Sequence, residues 1–454
     1  MLYDRIFLTS LILGTWALIK LTEELLPEKA LNYLPSPLAL YAVLIFVAAM
    51  VIHTIWLAMA QRRKGFFKTR FENQNLPAIN NYPEIDIFVS LHNEEKVIED
   101  LVTDLLKLNY PNYKICLIND HSSDSTKSIL DKLALENSSK IKVFHRINEA
   151  ERGKAAAINY AIKKSSGELI AVFDADARIE SDFLIKMLPY LEDNLIAAVQ
   201  SQKRVSNSNV NYLTKLQENE YCLDNYLQCG RDVIEGNVEL RGNGFLIKRD
   251  ILEKVGLFDI DSLTEDLELS TRLTVNGWNI RFCPEAIILE QAPVKFKAIL
   301  LQRLRWTEGS LRRYTSNIHK IFGPSKATSA SQQFDAFVFL SQFAVPIWIF
   351  LDIISEIVRF LKDQETHLTS IMLISFMIWI LTCINLTFGI RIYRKFSWRT
   401  SLKRAIETNF YFLTIWPLLV LLTFRKVLFS RTKGKWHKTE RYEDHLKKDS
   451  SKCY

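Results

Sequence analysis

The sequence predicts an α/β domain, a mostly parallel sheet with helices on both faces, inserted between N- and C-terminal transmembrane helices. Three observations carry this. Between residues 80 and 300 short β-rich runs alternate with helical patterns, an order that lays strands side by side and puts helices over them. Residues 30–61 contain no Asp, Glu, Lys or Arg, and neither do residues 366–390. Both runs exceed the roughly 20 residues that cross a bilayer. Basic clusters follow them directly: 61–70 (QRRKGFFKTR) with five cations and 391–404 (RIYRKFSWRTSLKR) with six, neither holding an acid.

In chain order, residues 6–19 and 37–60 read as two transmembrane helices. The first has a signal peptide as its rival reading, but no small-residue cleavage pattern follows it. The basic cluster at 61–70 then places the N-terminus and the central region on the cytoplasmic side. In the centre, strands are expected at 85–90 (IDIFVS), 114–119 (KICLIN), 141–145 (IKVFH) and 169–174 (LIAVFD). Helices are expected at 94–108, 124–135 and 153–165, where apolar residues recur at three- and four-residue spacing. Further spans are expected at 336–357, 369–390 and 409–424, with Pro346 and Pro417 each interrupting one. If all five candidates cross, the basic tail ends outside, whereas its charge argues for the inside, so one candidate is interfacial or re-entrant. The expected organisation is 1–61 membrane, 62–300 catalytic, 301–333 interfacial, 334–426 membrane and 427–454 a basic cytosolic tail.

The mean hydropathy of +0.01 is therefore an average of two unlike materials. The net charge of +7 (58 Lys and Arg against 51 Asp and Glu) resolves into juxtamembrane clusters, which suit anionic lipid headgroups and make nucleic acid no expected partner. Six cysteines without a CxxC pair read as free thiols of a reducing compartment.

Sheets of this type bind ligands at the carboxyl ends of their strands, and acids gather there. Asp174-Ala175-Asp176 closes the run LIAVF; two carboxylates one residue apart chelate a hard divalent ion or hold it against a diphosphate, although a solvated turn has the same composition. Asp120 closes ICLIND, where a carboxylate accepts hydrogen bonds from a nucleobase or ribose. Asp124 reads rather as a helix N-cap. Glu94 and Glu95 suit either a base or ribose contact or the first turn of a helix. Arg152-Gly153-Lys154 precedes a helix, where the cations can touch phosphate. Thr264-Glu265-Asp266 opens a helix; its acids serve either the cap or the deprotonation of an acceptor hydroxyl. Gln302-Arg303-Leu304-Arg305-Trp306 lies in a basic helix expected to be a lipid-facing anchor, yet Arg305 also suits a departing diphosphate and Trp306 the face of an acceptor. The segments 200–204 and 241–244 (RGNG) are expected to line the pocket, with Asn243 serving either a sugar hydroxyl or a tight turn.

Together, Asp120, Asp174-x-Asp176, Thr264-Glu265-Asp266 and Gln302-x-x-Arg305-Trp306 resemble the D, DxD, TED and QxxRW series of membrane-bound family 2 glycosyltransferases. The resemblance implies a glycosyltransferase A fold and an inverting transfer. Asp120 would contact the uridine of a UDP-sugar, with Glu94 nearby. Asp174 and Asp176 would hold Mg2+ or Mn2+ on its diphosphate, beside Lys154. Asp266 would be the general base, with Glu265 adjacent and Gln302, Arg305 and Trp306 at the acceptor and pyrophosphate end. On size and layout the branch it resembles most is the glucolipid synthases, which place one glucose from UDP-glucose on diacylglycerol. The ending with Trp436 and Thr439 is similar to that branch. A compact polysaccharide synthase is the alternative. The implied setting is a multi-pass bacterial plasma membrane protein, or a thylakoid one, with a cytoplasmic catalytic domain; the oligomeric state is open.

Overall fold

A computed structural model describes residues 48–59, 82–146, 151–323, 327–362 and 370–429. The expected helix at 6–19, the 61–70 cluster, most of the tail, and residues 37–47 of the second expected span lie outside the described residues.

A first helix, α1 (Ala48–Met59), precedes the catalytic sheet. Then come β1 (Ile85–Leu91), α2 (Ile98–Leu106), β2 (Tyr113–Asp120), α3 (Thr126–Glu136), β3 (Ile141–Arg146), α4 (Lys154–Ile162) and β4 (Leu169–Phe173). These match the alternation expected from the sequence. Beyond it, where only the helix opened by Thr264 is expected, lie β5 (Arg178–Ile179), α5 (Phe183–Met187), β6 (Ile196–Val205), α6 (Tyr212–Val233), β7 (Phe245–Lys248), α7 (Arg249–Val255), α8 (Glu265–Val275) and β8 (Asn279–Glu290). Four long helices follow: α9 (Phe296–Ile321), α10 (Ala330–Leu361), α11 (Ser370–Arg394) and α12 (Trp398–Phe429).

The eight strands form one sheet in the order β3-β2-β1-β4-β7-β6-β8-β5. The first four are parallel. The short β7 runs antiparallel to both β4 and β6, and β6 and β8 pair in parallel. Successive β1 side chains point to opposite faces. Ile85, Ile87, Val89 and Leu91 pack with Ile98, Leu101 and Leu105 of α2, while Phe88 joins Cys116, Ile118 and the α4 residues Ala157, Ile158 and Ala161. Burial on both faces explains why these strands are continuous apolar runs rather than alternating ones.

Helices α11 (over residues 375–394) and α12 are long and apolar enough to cross a membrane, which supports membrane association. The prolines do not interrupt their helices: Pro346 lies inside continuous α10 and Pro417 inside continuous α12. A helical proline leaves the carbonyl four residues earlier without its N–H donor. For Pro346 that carbonyl belongs to Gln342, and the Trp416 indole N–H of α12 donates to it at 3.0 Å.

The basic helix α9 also departs from expectation. Its arginines turn inward: Arg303 pairs with Glu220 at 2.8 Å, Arg312 with Glu308 at 2.9 Å, and Arg313 with Glu239. These three arginines are engaged in contacts inside the protein, while Phe296, Lys297 and Leu301 in the first turns of α9 are exposed. Five described cysteines, Cys116, Cys222, Cys229, Cys283 and Cys383, are buried free thiols.

Candidate active site

The carboxyl ends of β1, β2 and β4 face the starts of α4, α8 and α9 across a cleft of about 850 Å3. Glu94, Asp120, Lys154, Asp174, Asp176, Glu265, Asp266, Gln302, Arg305 and Trp306 all line it. The structure thus brings these ten residues together, whereas Glu95 and Asn243, also singled out from the sequence, do not line the cleft.

Asp120 is held in place from three sides. Its Oδ1 accepts from Arg146 Nη1 at 2.8 Å and sits 2.9 Å from His121 Nδ1, and its Oδ2 accepts the Gly153 amide at 2.7 Å. It thereby ties the end of β2 to the start of α4. The neighbouring acids divide by role. Asp124 accepts the amides of Thr126 and Glu95, and Glu95 accepts the amide of Ser125, so both satisfy backbone groups around the α3 N-terminus. Glu94 is buried at the cleft wall.

Behind the Asp174–Asp176 turn stands a support that the sequence does not announce. Asn243 is fully buried; its Oδ1 accepts the Asp174 amide at 3.0 Å and its Nδ2 donates to Glu290 at 3.0 Å. Asn243 is therefore a brace for the turn, not a sugar ligand. Glu290 also accepts from Lys203 at 2.8 Å and from the Tyr221 hydroxyl. The next residue, Gln291, donates its amide to Asp176 Oδ2 at 3.0 Å. Lys203, Tyr221, Arg241 and Glu290 line the cleft. The RGNG glycines hint at this loop, but nothing in the local pattern around Tyr221 or Glu290 does.

The loop continues into Gly242, whose φ of +74° lies in the left-handed region. A Cβ there would lie 3.0 Å from Asp266 Oδ2. Glycine lets the backbone pass the acid closely, and the Gly242 carbonyl in turn accepts from Lys154, which also donates to Asp174. Burial alone would lower the Lys154 ammonium, but Asp174, Glu265 and Asp266 outweigh it and hold its pKa above the ordinary value. Burial, with the Asp266 carboxylate second, pushes Glu265 above the usual carboxylate range.

Helix α9 fixes the Thr264–Asp266 turn from the other side. Arg305 donates to the Leu263 carbonyl at 3.2 Å and Arg313 to the Leu267 carbonyl at 3.0 Å, one on each side of the turn. Thr264 occupies the N-cap position of α8 but its side chain makes no cap bond. It packs instead on Gly309, where a Cβ would meet Thr264 Oγ1 at 2.3 Å. Arg303 lies over the Trp306 ring at 4.2 Å and donates to Gln302 at 2.8 Å, holding both at the cleft.

The carboxylates fit a divalent ion of one kind. Among the described residues no three acidic, His or Cys side chains converge as a closed metal cage. Two carboxylates on one turn, with coordination left for phosphate oxygens and water, suit Mg2+ or Mn2+ carried on a nucleotide.

Residues 83–309 match the family model described as glycosyltransferase-like family 2. The chain belongs to that family. It is 31% identical over 364 residues to the β-monoglucosyldiacylglycerol synthase of Trichormus variabilis, covering 79% of this chain and 76% of that protein. It is 30% identical over 240 residues to a poly-β-1,6-N-acetyl-D-glucosamine synthase of Staphylococcus epidermidis, covering 52% and 57%. Among solved structures, the mannosyltransferase PcManGT of Pyrobaculum calidifontis, in complex with GDP-Man and Mn2+, superposes with a TM-score of 0.56 at 17% identity, over 85% of this chain and all of that one. That likeness is one of fold: the mixed sheet is of the glycosyltransferase A type. As a family 2 member the protein is a nucleotide-sugar glycosyltransferase.

Proposed function

We propose that this enzyme moves glucose from UDP-glucose to the free hydroxyl of 1,2-diacylglycerol, with inversion, to give β-monoglucosyldiacylglycerol. The observation that carries this reading is the reach of the cleft. From Asp174, Asp176 and Asp266 it continues to Phe339 and Phe343 of α10 and Trp416 of α12, so an acceptor entering between these helices meets aromatic surface before it meets carboxylates. A diacylglycerol matches that gradient, with chains that prefer the apolar end and a hydroxyl that stays at headgroup level. The likeness to the Trichormus synthase over most of both chains supports the same acceptor.

In this reading Asp120 and Glu94 hold the nucleoside, and Asp174 and Asp176 hold Mg2+ or Mn2+ on the diphosphate. The ion's chemistry, when bound, is to offset the charge that builds on the departing diphosphate. The acceptor hydroxyl gives its proton to Asp266 and its oxygen attacks the anomeric carbon. The bond from that carbon to the phosphate oxygen breaks, and UDP leaves with the electron pair. Arg305, which has N–H groups beyond the one given to Leu263, faces the diphosphate. Glu265 shapes the charge around the base, and Gln302 and Trp306 hold the acceptor. A single displacement turns an α-linked donor into a β-glycoside.

The second reading, a compact polysaccharide synthase, is favoured by the Staphylococcus relative, whose match covers about half of each chain. Purified enzyme offered radiolabelled UDP-glucose or UDP-N-acetylglucosamine, with and without diacylglycerol, separates the two. The expected result is a chloroform-soluble lipid carrying one sugar, formed from UDP-glucose only when diacylglycerol is present. A ladder of water-soluble or insoluble polymer formed without lipid would overturn it.

A further inference from the structure

Lys154 is the first residue of α4, and its ammonium donates to both the Asp174 carboxylate and the Gly242 carbonyl. The space around it is acidic. The point 3.0 Å from Asp266 Oδ2 where a Gly242 Cβ would stand is 3.8 Å from Lys154 Nζ, and Glu265 also acts on the same ammonium. One lysine thus neutralises part of a cluster of three acids drawn from the turn after β4 and the start of α8. Its neighbours add a second property. Gly153, in a positive-φ conformation (φ +105°), has its amide on Asp120, and Arg152 precedes it at the exposed lip. A helix start beside two cations attracts phosphate.

We propose that Lys154 and the divalent ion compete for the Asp174 carboxylate, so that the ion is held firmly only together with a nucleoside diphosphate, whose oxygens take over the lysine. The inference rests on Asp174 and Asp176 being the metal-binding pair. The ammonium holds a carboxylate oxygen that the ion needs, and a divalent cation set beside it meets like charge at short range. A diphosphate arriving at the α4 N-terminus changes both terms. It supplies oxygens to the ion and an anionic partner to Lys154, which leaves Asp174 free to turn to the metal. Metal and nucleotide then raise each other's affinity by the same factor. The scarcity of side-chain ligands at the turn works in the same direction.

The test is Mn2+ binding to the full-length protein in detergent, read from the electron paramagnetic resonance signal of free Mn2+, with and without UDP. Wild type is expected to bind Mn2+ weakly alone and about tenfold or more tightly with UDP, within the usual span of site–site coupling. Lys154→Met is expected to bind Mn2+ alone about tenfold more tightly than wild type and to lose most of the UDP effect. Lys154→Arg keeps the cation and stays weak without UDP. Circular dichroism melts of each variant check that it folds. If Lys154→Met, folded, binds Mn2+ alone no better than wild type, the competition is refuted. It is refuted equally if Lys154→Arg binds Mn2+ as tightly as Lys154→Met. If wild type binds no Mn2+ even with UDP, the metal reading of Asp174 and Asp176 fails first and takes this inference with it.

Discussion

Glu265 and Asp266 are adjacent carboxyls, and their substitutions are expected to be read out differently, the first in stability and the second in turnover. Glu265 has its proton affinity raised by burial and then by Asp266. An acid shifted this way favours the fold below its unfolded value of about 4.3, and that contribution is lost as the pH rises through the folded value. Glu265→Gln keeps the shape and removes the charge, so it should melt higher than wild type at pH 7.5, with the gap closing toward pH 4. Such a gain at a catalytic site normally accompanies lost activity. Asp266→Asn should leave UDP binding in place and lower turnover by about 10²–10⁴-fold, the usual contribution of a general base. A variant still releasing UDP at the wild-type rate would remove Asp266 from that role. At this scale the sequence is most informative where an acid closes a strand or opens a helix, as with Asp120, Asp174 and Asp266. It is silent on Tyr221 and Glu290, because they reach the cleft only through the packing of α6 and β8. It is ambiguous on Asn243, since a buried brace and a sugar ligand have the same composition.

Among the elements, the parallel half of the sheet is legible because its strands are buried on both faces and its helices keep a regular apolar spacing. The half from β5 to β8 mostly is not, since a four-residue strand such as β7 carries too little pattern to stand out, and α6 buries polar residues such as Gln217, Glu218 and Asn219. Pro346 misleads for a physical reason: a helix tolerates a proline where a neighbour supplies the missing donor, here the Trp416 indole. That explanation is testable. Trp416→Phe removes the donor to the Gln342 carbonyl and should cost about 1–3 kcal/mol, the range for an unsatisfied buried polar group. Much of the loss should vanish in the Pro346→Ala background, where the helix provides its own N–H. Equal costs in both backgrounds, measured by thermal melts in detergent, would show that the indole acts only through packing.

Across the whole molecule, one acid anchors a chain of ion pairs that joins the catalytic sheet region to the helices α9, α10 and α1. Glu239 faces Arg231 of α6, Arg241 of the RGNG loop and Arg313 of α9. Arg231 also pairs with Asp335 of α10 at 3.0 Å, and Asp335 with His53 of α1 at 2.9 Å. Burial alone would raise the Glu239 carboxyl, but Arg313, Arg241 and Arg231 outweigh it and hold it below the usual range. An acid depressed this way adds stability that is complete above about pH 4.3 and is lost as the pH falls through the folded value. Glu239→Gln should therefore cost roughly 3–5 kcal/mol at pH 7, as removing one partner of a buried ion pair does. The deficit should shrink on acidification, which a series of melts from pH 7 to pH 3 would read.

The same cluster sets an order of assembly. Residues 83–309 leave the ribosome before Asp335, so during synthesis the buried arginines lack one of their counter-charges until α10 has been made. The nucleotide-binding half is therefore expected to complete this cluster late, when α10 docks, and a fragment that stops short of residue 335 would leave Arg231 to share Glu239 with Arg241 and Arg313. Completion of the loop that borders the cleft is thereby tied in time to the arrival of α10: through Glu239 and Arg231, a chain that has not yet reached residue 335 has not finished bracing Arg241.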